Sequence, residues 1–257
     1  MVAKLRKFVF AGRVHPERIA LEISSPIELI IGRKDENVEY KLVIFVQDSQ
    51  INVSVETSDL NVDMDSLKNL VKAQVSSLID IYGYLNGRWH EVEMTTALNI
   101  ETNEMTVFTI EIPVIAGSKS ERPCTYVELF GLGAQFNQLR RALASLRLAM
   151  ALPDETGFFA YHAVEAIMNH FYSSAGMGSK KDAWKYMRDE LNIDKDFIIE
   201  GIKSFANPQR HGDDIFISDQ ERAKFLMRTW KIVDRFCLYL KNKSQSLDKK
   251  QYPELVL

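Results

Sequence analysis

The chain has 257 residues, of which 46% are hydrophobic and 26% are charged, and its formal net charge is −3. This composition excludes an intrinsically disordered chain, and the length is sufficient for two domains that each bury a core. Residues 131–243 carry 17 Lys and Arg against 14 Asp and Glu, whereas residues 1–130 carry 13 against 19. Because nucleic-acid-binding proteins usually have a larger basic excess, this balance permits RNA binding in the C-terminal half and argues against it in the N-terminal half.

Signals for metal binding, secretion and membrane insertion are absent from the sequence. Cys124 and Cys237 are far apart in the chain and form no C-x-x-C pair, so neither a disulfide framework nor a zinc site is predicted. The apolar run at residues 8–11 is too short for a signal-peptide core, and no run approaches the roughly 18 apolar residues of a membrane span. We therefore expect a cytoplasmic protein with no cofactor, no metal ion and no membrane partner.

Residues 6–57 have the pattern of an antiparallel sheet. Ile51, Val53 and Val55 alternate with polar residues, which is the period of a strand with one buried face. Short turns rich in Gly, Pro, Asp and Ser separate the apolar runs, as antiparallel connections require. The predicted strands are Arg6–Val14, Arg18–Ser24, Glu28–Gly32, Val38–Gln47 and Gln50–Thr57.

The apolar period changes to that of a helix at residues 65–84, where Asp63 or Asp65 is available to cap the N-terminus. A single helix must lay its apolar stripe on the sheet to bury it. Strand character returns at Trp89–Ile100 and Met105–Val114, which form a predicted hairpin.

Residues 1–115 are thus predicted to form a β-rich domain, and the polar segment at residues 116–130 is predicted to be a linker. Residues 131–243 show no strand pattern and are predicted to form an up-and-down bundle of about five helices, ahead of a loosely ordered tail at residues 244–257. The predicted helices are Ala134–Ala151, Asp154–Ser173, Ser179–Leu191, Asp194–Phe205 and Ser218–Asn242. The fold class is therefore α+β, an antiparallel β-rich domain followed by an all-α bundle.

A row of hydrogen-bonding side chains lies on one face of the predicted helix from Asp154. His162, Glu165 and Asn169 follow one another at i, i+3 and i+7, outside the apolar stripe. Such a row is typical either of a solvated surface or of a face that takes part in a site.

Two stretches carry a resemblance to a known family. Ala160–Ala166 is rich in alanine and aromatic residues and contains Glu165, and Asn207 precedes His211 at the spacing of the motif Arg-Asn-x-x-x-His. With these stretches the C-terminal half resembles the HEPN superfamily of small helical domains, although Ala206 stands where that motif has Arg. The resemblance implies a helical bundle, support of the motif by Glu165, and a homodimer through the C-terminal helices with the motifs near its two-fold axis.

A complete HEPN motif implies metal-independent RNA cleavage. His211 would exchange a proton with the ribose 2′-hydroxyl or the leaving 5′-oxygen, and Arg210 would stabilise charge on the phosphate, with Asn207 in the same motif. Consecutive helical residues point about 100° apart, so Arg210 and His211 converge only if this segment forms a turn.

A structural role is the alternative for the same residues. Arg210 and His211 would then pair with Asp213, Asp214 or Glu165 and hold two helices together.

Two further features of the C-terminal half bear on partners. Arg140 and Arg147 share a helix face at i, i+7 and are candidates to line a phosphate path, although most such pairs are solvated. The last helix has a wide apolar band, and any excess beyond the bundle core would form a dimer seam. The band consists of Phe225, Leu226, Trp230, Val233, Phe236, Cys237 and Leu240.

Two functions are consistent with these observations. In the first, a bacterial or phage-type protein uses a dimeric HEPN-like bundle to bind or cleave RNA in a defence or toxin setting, while the β-rich domain binds an unknown partner or ligand. In the second, the protein is a non-catalytic dimeric binding or scaffold protein whose β-rich domain recognises a partner.

Overall fold

The structure is a computed structural model that describes residues 5–17, 20–33, 38–117, 121–174, 176, 178–211 and 217–257. The chain divides into two compact units, the N-terminal unit Met1–Ile110 and the C-terminal unit Glu111–Leu257. The division falls after Ile110, ahead of the predicted domain end at residue 115. Within the described ranges, no helix is both long enough and apolar enough to cross a membrane.

The N-terminal unit is built on one antiparallel sheet of six strands in the order β2-β3-β4-β1-β5-β6. The strands are β1 (Arg6–His15), β2 (Ile23–Arg33), β3 (Val38–Gln47), β4 (Gln50–Thr57), β5 (Glu91–Asn99) and β6 (Met105–Val107). Buried side chains alternate along β1, β3 and β4, so one face of the sheet forms the core. This confirms the predicted antiparallel sheet.

The turn between β3 and β4 has the chemistry of a tight hairpin. Asp48 and Ser49 both have positive φ, 49° and 62°, which the two-residue hairpin turns with matching strand twist require. Gln47 pairs with Gln50 across the turn. The Ser49 hydroxyl also accepts a hydrogen bond from the backbone N–H of Leu21 at 3.1 Å, which fixes the turn to the segment before β2.

Helix α1 (Met64–Asn86) packs on the sheet, as predicted. The Asp63 carboxylate caps its start by accepting a hydrogen bond from the Ser66 N–H at 3.0 Å, and Gly87 ends it with a φ of 61°. The buried apolar residues Leu67, Val71, Val75 and Ile79 recur every turn and join the sheet core. The helical period of the sequence thus places one stripe against the sheet.

Two strand predictions differ from the structure. Arg18–Ser24 and Glu28–Gly32 are predicted as separate strands, but β2 is a single strand that starts at Ile23 and whose register shifts between Ile23 and Ile27. The first two residues of the predicted strand Arg18–Ser24 lie outside the described residues. Pro26 lies at this irregularity on an edge strand, where its missing N–H breaks no second ladder. The predicted strand Met105–Val114 stops at Val107, because only three residues pair with β5 before a turn of helix starts at Pro113.

The C-terminal unit is helical. Its helices are α2 (Pro113–Ala116), α3 (Tyr126–Gln135), α4 (Asn137–Ala151), α5 (Thr156–Ser174), α6 (Lys180–Leu191), α7 (Lys195–Ile198), α8 (Ser204–Arg210) and α9 (Asp219–Lys241). A π-helical stretch, Ile199–Lys203, joins α7 to α8. The helix predicted to end at Phe205 therefore continues to Arg210, with Pro208 inside its last segment.

Helix α5 lies at the centre of this unit, because most of its circumference is apolar and buried. It packs on α4, α6, α8 and α9. The Thr156 hydroxyl at its start donates to the Ala149 carbonyl at the end of α4 at 2.9 Å. At its other end, the His170 ring meets Phe136, the residue before α4, with ring centroids 5.6 Å apart. Helices α4 and α5 are therefore antiparallel.

Two segments expected to be irregular contain regular structure or long-range hydrogen bonds. The described part of the predicted linker, residues 116–117 and 121–130, contains the start of α3, where Thr125 and Glu128 form a reciprocal capping box. The predicted loose tail packs on the bundle, because the buried Asn192 amide donates to the Leu247 carbonyl at 2.8 Å, and the Asp194 N–H donates to the Leu255 carbonyl at 2.9 Å. Long-range hydrogen bonds hold the tail and also the residues just before α3, where the Lys241 Nζ donates to the Pro123 carbonyl at 3.4 Å.

The two cysteines, distant in sequence, are neighbours in the C-terminal core. Cys124 and Cys237 are buried free thiols, close enough for each to affect the pKa of the other. Burial raises the pKa of both thiols, so both remain protonated at neutral pH.

Candidate functional site

The motif segment lies on α8, and Gln209 docks this helix onto the start of α5. The Gln209 Oε1 accepts a hydrogen bond from the Phe158 N–H at 2.8 Å, and its Nε2 donates to the Asp154 carbonyl. The first N–H groups of a helix have no partner within the helix. Gln209 therefore caps α5 from a neighbouring element and fixes the position of the residues that follow it.

Gly157 allows α8 to approach α5 closely. A Cβ at this position would lie 2.9 Å from the Phe205 carbonyl oxygen and 2.8 Å from the Gln209 Oε1. Both separations are shorter than normal van der Waals contact. The hydrogen bond from Phe158 to Gln209 therefore depends on the absence of a side chain at the neighbouring Gly157.

Arg210 lies against an aromatic pair. Its guanidinium carbon is 5.7 Å from the centroid of the Tyr161 ring, and the Lys203 Nζ is 5.9 Å from the same centroid. The Tyr161 ring stacks on Trp184 of α6, with centroids 5.9 Å apart and planes within 10° of each other. Two cationic side chains are thus held beside one stacked aromatic pair. We call Tyr161, Trp184, Lys203 and Arg210 the cation–aromatic cluster.

Glu165, one turn further along α5, affects the pKa of the same Tyr161 side chain. Burial raises the pKa of Tyr161 to about 12, the negative charge of Glu165 raises it too, and the positive charge of Arg210 opposes the rise. Tyr161 is consequently a neutral phenol at physiological pH. The structure brings the predicted site residues Glu165 and Arg210 close to Tyr161, a residue that the sequence did not single out.

The other motif residues lie at the end of α8. His211 is exposed and ends the helix, with its N–H donating to the Asn207 carbonyl at 3.2 Å, and Asn207 is half-buried. Within the described part of the chain, no ion pair joins Arg210 or His211 to Glu165. The other predicted partners, Asp213 and Asp214, lie outside the described residues.

Ala206 occupies a position with no room for a longer side chain. It is fully buried in the core of the C-terminal unit, whereas Arg210 and His211 are exposed. An arginine at this point of the motif would have to reach solvent from inside the bundle. The burial of this position in the packed bundle is therefore consistent with alanine in place of the arginine of the HEPN motif.

The three residues of the predicted polar face of α5 have different environments in the structure. His162 is exposed and its Nδ1 lies 2.9 Å from the Ser145 Oγ, while that hydroxyl donates to the Arg141 carbonyl. Because a hydroxyl has one hydrogen to donate, the Nδ1 of His162 is the donor in this contact. Glu165 and Asn169 are half-buried on the same helix. Only Glu165 belongs to the neighbourhood of the cation–aromatic cluster.

The two arginines predicted to line a phosphate path are exposed on α4. The Arg140 Nη2 donates to the Asn137 Oδ1 at 3.2 Å, and its side chain borders an apolar groove with α3. This groove lies near the start of α4, whereas the cluster includes residues near the start of α5, at the opposite end of the antiparallel helix pair. Arg140 is therefore separated from the motif end of the bundle.

The apolar band of α9 is mostly internal. All its predicted members except Trp230 are buried, and all of these except Phe225, which packs on Phe205, belong to the core of the C-terminal unit. Trp230 is half-buried and faces the guanidinium of Arg122 at 5.3 Å. The surplus apolar surface expected on α9 for a dimer seam is thus used inside the unit.

Sequence reasoning missed Tyr161, Trp184, Lys203, Gln209 and Gly157. Tyr161 falls inside the stretch compared with HEPN helices and precedes Glu165 by one turn, which was an available signal. The other four become relevant only through contacts between α5, α6 and α8. The described residues contain no group of three or more His, Cys, Asp or Glu side chains suited to hold a metal ion.

Comparison with known proteins identifies both halves of the chain. Residues 8–108 match the family model "Domain of unknown function (DUF8168) N-terminal domain", and residues 129–241 match "Domain of unknown function (DUF8168) C-terminal domain". No curated protein and no solved structure matches the chain. The two ranges follow in order and together cover most of its length, so the chain belongs to the two-domain DUF8168 family.

Proposed function

We propose that the C-terminal unit binds single-stranded RNA at the cation–aromatic cluster and that His211 cleaves the bound strand without a metal ion. The observation that carries this proposal is the position of Arg210 and Lys203 beside the stacked Tyr161 and Trp184 rings. Single-stranded nucleic acids are commonly bound by cationic side chains that contact phosphates, and the buried Tyr161 ring, stacked on Trp184, holds both cations close together. The resemblance to HEPN domains supports the same reading.

The contacts of Arg210 favour phosphate binding. A cation held on an aromatic face keeps its guanidinium N–H groups available, because the ring attracts the charge without accepting those hydrogens in a fork. No ion pair in the described ranges occupies Arg210 or Lys203. A phosphate can therefore bind without first displacing a carboxylate of the described residues.

The chemistry uses the residue after Arg210, because α8 ends at Arg210 and the chain leaves the helix at His211, where the two side chains can turn toward one phosphate. The exposed imidazole of His211 takes the proton of a ribose 2′-hydroxyl, the 2′-oxygen attacks the adjacent phosphorus, and the bond to the 5′-oxygen breaks. The imidazolium of His211 then returns the proton, by way of water, to the leaving 5′-oxygen, which yields a 2′,3′-cyclic phosphate and a 5′-hydroxyl. Arg210 stabilises the charge that develops on the phosphate oxygens.

The wider setting of this proposal comes from the HEPN resemblance alone. It comprises a bacterial or phage defence or toxin role, a homodimer, and an N-terminal unit that recognises a partner. The sheet of that unit, with α1 on one face, is compatible with a recognition domain.

Binding and cleavage are tested separately on the full chain with fluorescently labelled single-stranded RNA. Arg210→Ala should weaken binding by about tenfold and lower the salt dependence by roughly one phosphate contact. Lys231→Ala, which removes an exposed cation from α9, is the control and should leave affinity unchanged. Equal affinity in all three proteins would refute the RNA surface.

His211→Ala should bind RNA like the parent chain and produce no 2′,3′-cyclic phosphate. His15→Ala, at a half-buried histidine of the N-terminal unit, controls for loss of an imidazole elsewhere. Cleavage at the parent rate by His211→Ala, or no cleavage by the parent chain, would remove the catalytic part of the proposal and leave the binding part standing.

The second candidate is a non-catalytic dimeric binding or scaffold protein. Its support is Ala206, because a buried alanine replaces the arginine of a complete HEPN motif. This function predicts no cleavage of any RNA, together with an unchanged partner interaction in His211→Ala.

A further inference from the structure

Helix α3 presents a large apolar surface that its own unit does not cover. Tyr126, Val127 and Phe130 are 84%, 76% and 72% exposed. An apolar groove of about 470 Å³ lies beside them and is lined by residues that include Leu129, Gly133 and Leu143. Surfaces of this kind in soluble proteins mark interaction sites. We call this surface the α3 face.

We propose that the α3 face is the homodimer interface of this protein and that its occupant is the α3 face of a second copy. The face offers both parts of a self-complementary contact, because the exposed side chains of Tyr126 and Phe130 also form part of the wall of the groove. A two-fold axis requires each copy to contribute the same patch. Phe130 or Tyr126 of one copy can then enter the groove of the other.

The exposed aromatic side chains of the α3 face supply part of the area that a dimer needs. An aromatic side chain buries roughly 150–250 Å², so Tyr126 and Phe130, which are 84% and 72% exposed, together contribute roughly 230–390 Å². A standard interface buries about 800 Å² per partner. Val127, the groove walls and the surrounding rim have to supply the remainder, which a patch spanning α3 and the start of α4 can do.

The charges of the α3 face also suit a contact between copies. Glu128, the carboxylate of α3, is held within its own chain by the Lys241 Nζ at 2.8 Å and by the Thr125 N–H at 2.8 Å. These bonds lower the pKa of Glu128 to about 2, and the side-chain hydrogen bond from Lys241 is the largest cause. Arg140 borders the groove, where its aliphatic stem covers apolar surface while its guanidinium stays at the margin.

The position of the α3 face separates the two motif sites of such a dimer. Phe136, which ends α3, contacts His170 near the end of α5, whereas Gln209 caps the start of α5. Helix α5 has 19 residues and is about 28 Å long. The motifs of the two copies would therefore work independently and not share one cleft at the two-fold axis.

Sedimentation velocity of the full chain over a wide concentration range tests this interface. The parent chain should reach twice its mass of 29.5 kDa, and Phe130→Glu should weaken dimerisation at least about 30-fold, because a central aromatic residue commonly dominates an interface. Val127→Glu is a second variant on the same face. Tyr84→Glu, at a position of α1 that is 87% exposed, is the matched control and should dimerise like the parent.

Three results would overturn the proposal. They are a parent chain that stays monomeric throughout, a dimer that persists in both Phe130→Glu and Val127→Glu, and a dimer lost only in Tyr84→Glu. Circular dichroism of each variant establishes that it is folded. The proposal does not depend on RNA binding, and the RNA affinity of monomeric Phe130→Glu should equal that of the parent.

Discussion

The side-chain amide of Gln209 accepts a hydrogen bond from the backbone N–H of Phe158 at 2.8 Å, so a residue of the motif helix caps the central helix of the bundle. Gln209→Ala removes this cap and should lower the free energy of unfolding by about 1–2 kcal/mol, the usual cost of a lost helix cap. Urea unfolding followed by circular dichroism measures the change. Gln220→Ala, at an exposed position in the first turn of α9, is the control, and an equal loss in both variants would contradict the capping role.

Gly157 should be intolerant of a methyl group. Gly157→Ala places a Cβ 2.9 Å from the Phe205 carbonyl oxygen, so α8 has to move or the helices separate, at a cost of roughly 1–3 kcal/mol of unfolding free energy. Gly131→Ala is the matched control, because this helical glycine of α3 has no atom within 4 Å of the added Cβ. It should be neutral or stabilise the protein by about 0.4–1 kcal/mol. Thermal denaturation of both variants measures these changes. A Gly157→Ala variant as stable as the parent chain would disprove the close approach of α8 to α5.

Arg222 joins α9 to the junction of α4 and α5. It is buried, its Nε donates to the Thr156 Oγ1 at 2.8 Å, and its Nη2 donates to the Ala149 and Met150 carbonyls at the end of α4. Arg222→Met leaves these buried acceptors with fewer donors and should cost about 2–4 kcal/mol of unfolding free energy.

The control for Arg222→Met is Lys224→Met, which changes an exposed cation of the same helix. Chemical denaturation should give a lower midpoint for Arg222→Met alone. Coincident unfolding curves for the two variants would show that the buried guanidinium adds nothing to stability.

His170 should make the stability of the protein depend on pH. Its ring lies among Phe136, Phe171, Phe236 and Tyr239, and burial lowers its pKa below the usual value. The unfolded chain binds a proton at this residue near pH 6.5, and the folded chain does so only at lower pH. The contribution is therefore fully present above about pH 6.5 and is lost as the pH falls toward the folded pKa.

The variant His170→Leu tests this dependence. Unfolding free energies at about pH 7.5 and about pH 5.5 should differ less in His170→Leu than in the parent, because the variant cannot take up the proton. His162→Leu, at an exposed histidine of the same helix, controls for the loss of a solvent-accessible imidazole. An unchanged difference in His170→Leu would assign the acid sensitivity to other groups.

Much of the fold was predictable because its signals are local. The alternation of Ile51, Val53 and Val55 identifies a strand with one buried face, and Asp63 marks the start of α1. Ser218 and Glu221 form the capping box that their spacing indicates at the start of α9. Each signal involves residues a few positions apart, whose geometry the backbone itself fixes.

The site was predictable only in part. Arg210 and Glu165 were identified from motif spacing, and both lie near Tyr161. Arg140 instead lines the groove beside α3, because α4 and α5 are antiparallel and the start of α4 therefore lies at the opposite end of the helix pair from the start of α5. Sequence spacing cannot indicate which end of a helix pair a residue occupies.

The sequence by itself determined an α+β protein of two parts, with the period of its apolar residues dividing sheet from helices. Only the tertiary structure decided that the side-chain cations of Arg210 and Lys203 lie beside the Tyr161 ring. It also decided that α8 packs closely against α5 at Gly157 and that the C-terminal tail packs against Asn192. The physical reason is how far apart in the sequence the interacting residues lie. Apolar periodicity is set by neighbours along the chain. In contrast, the contact of a cation with an aromatic ring, and the close approach of the Phe205 carbonyl to Gly157, depend on the packing of helices distant in sequence.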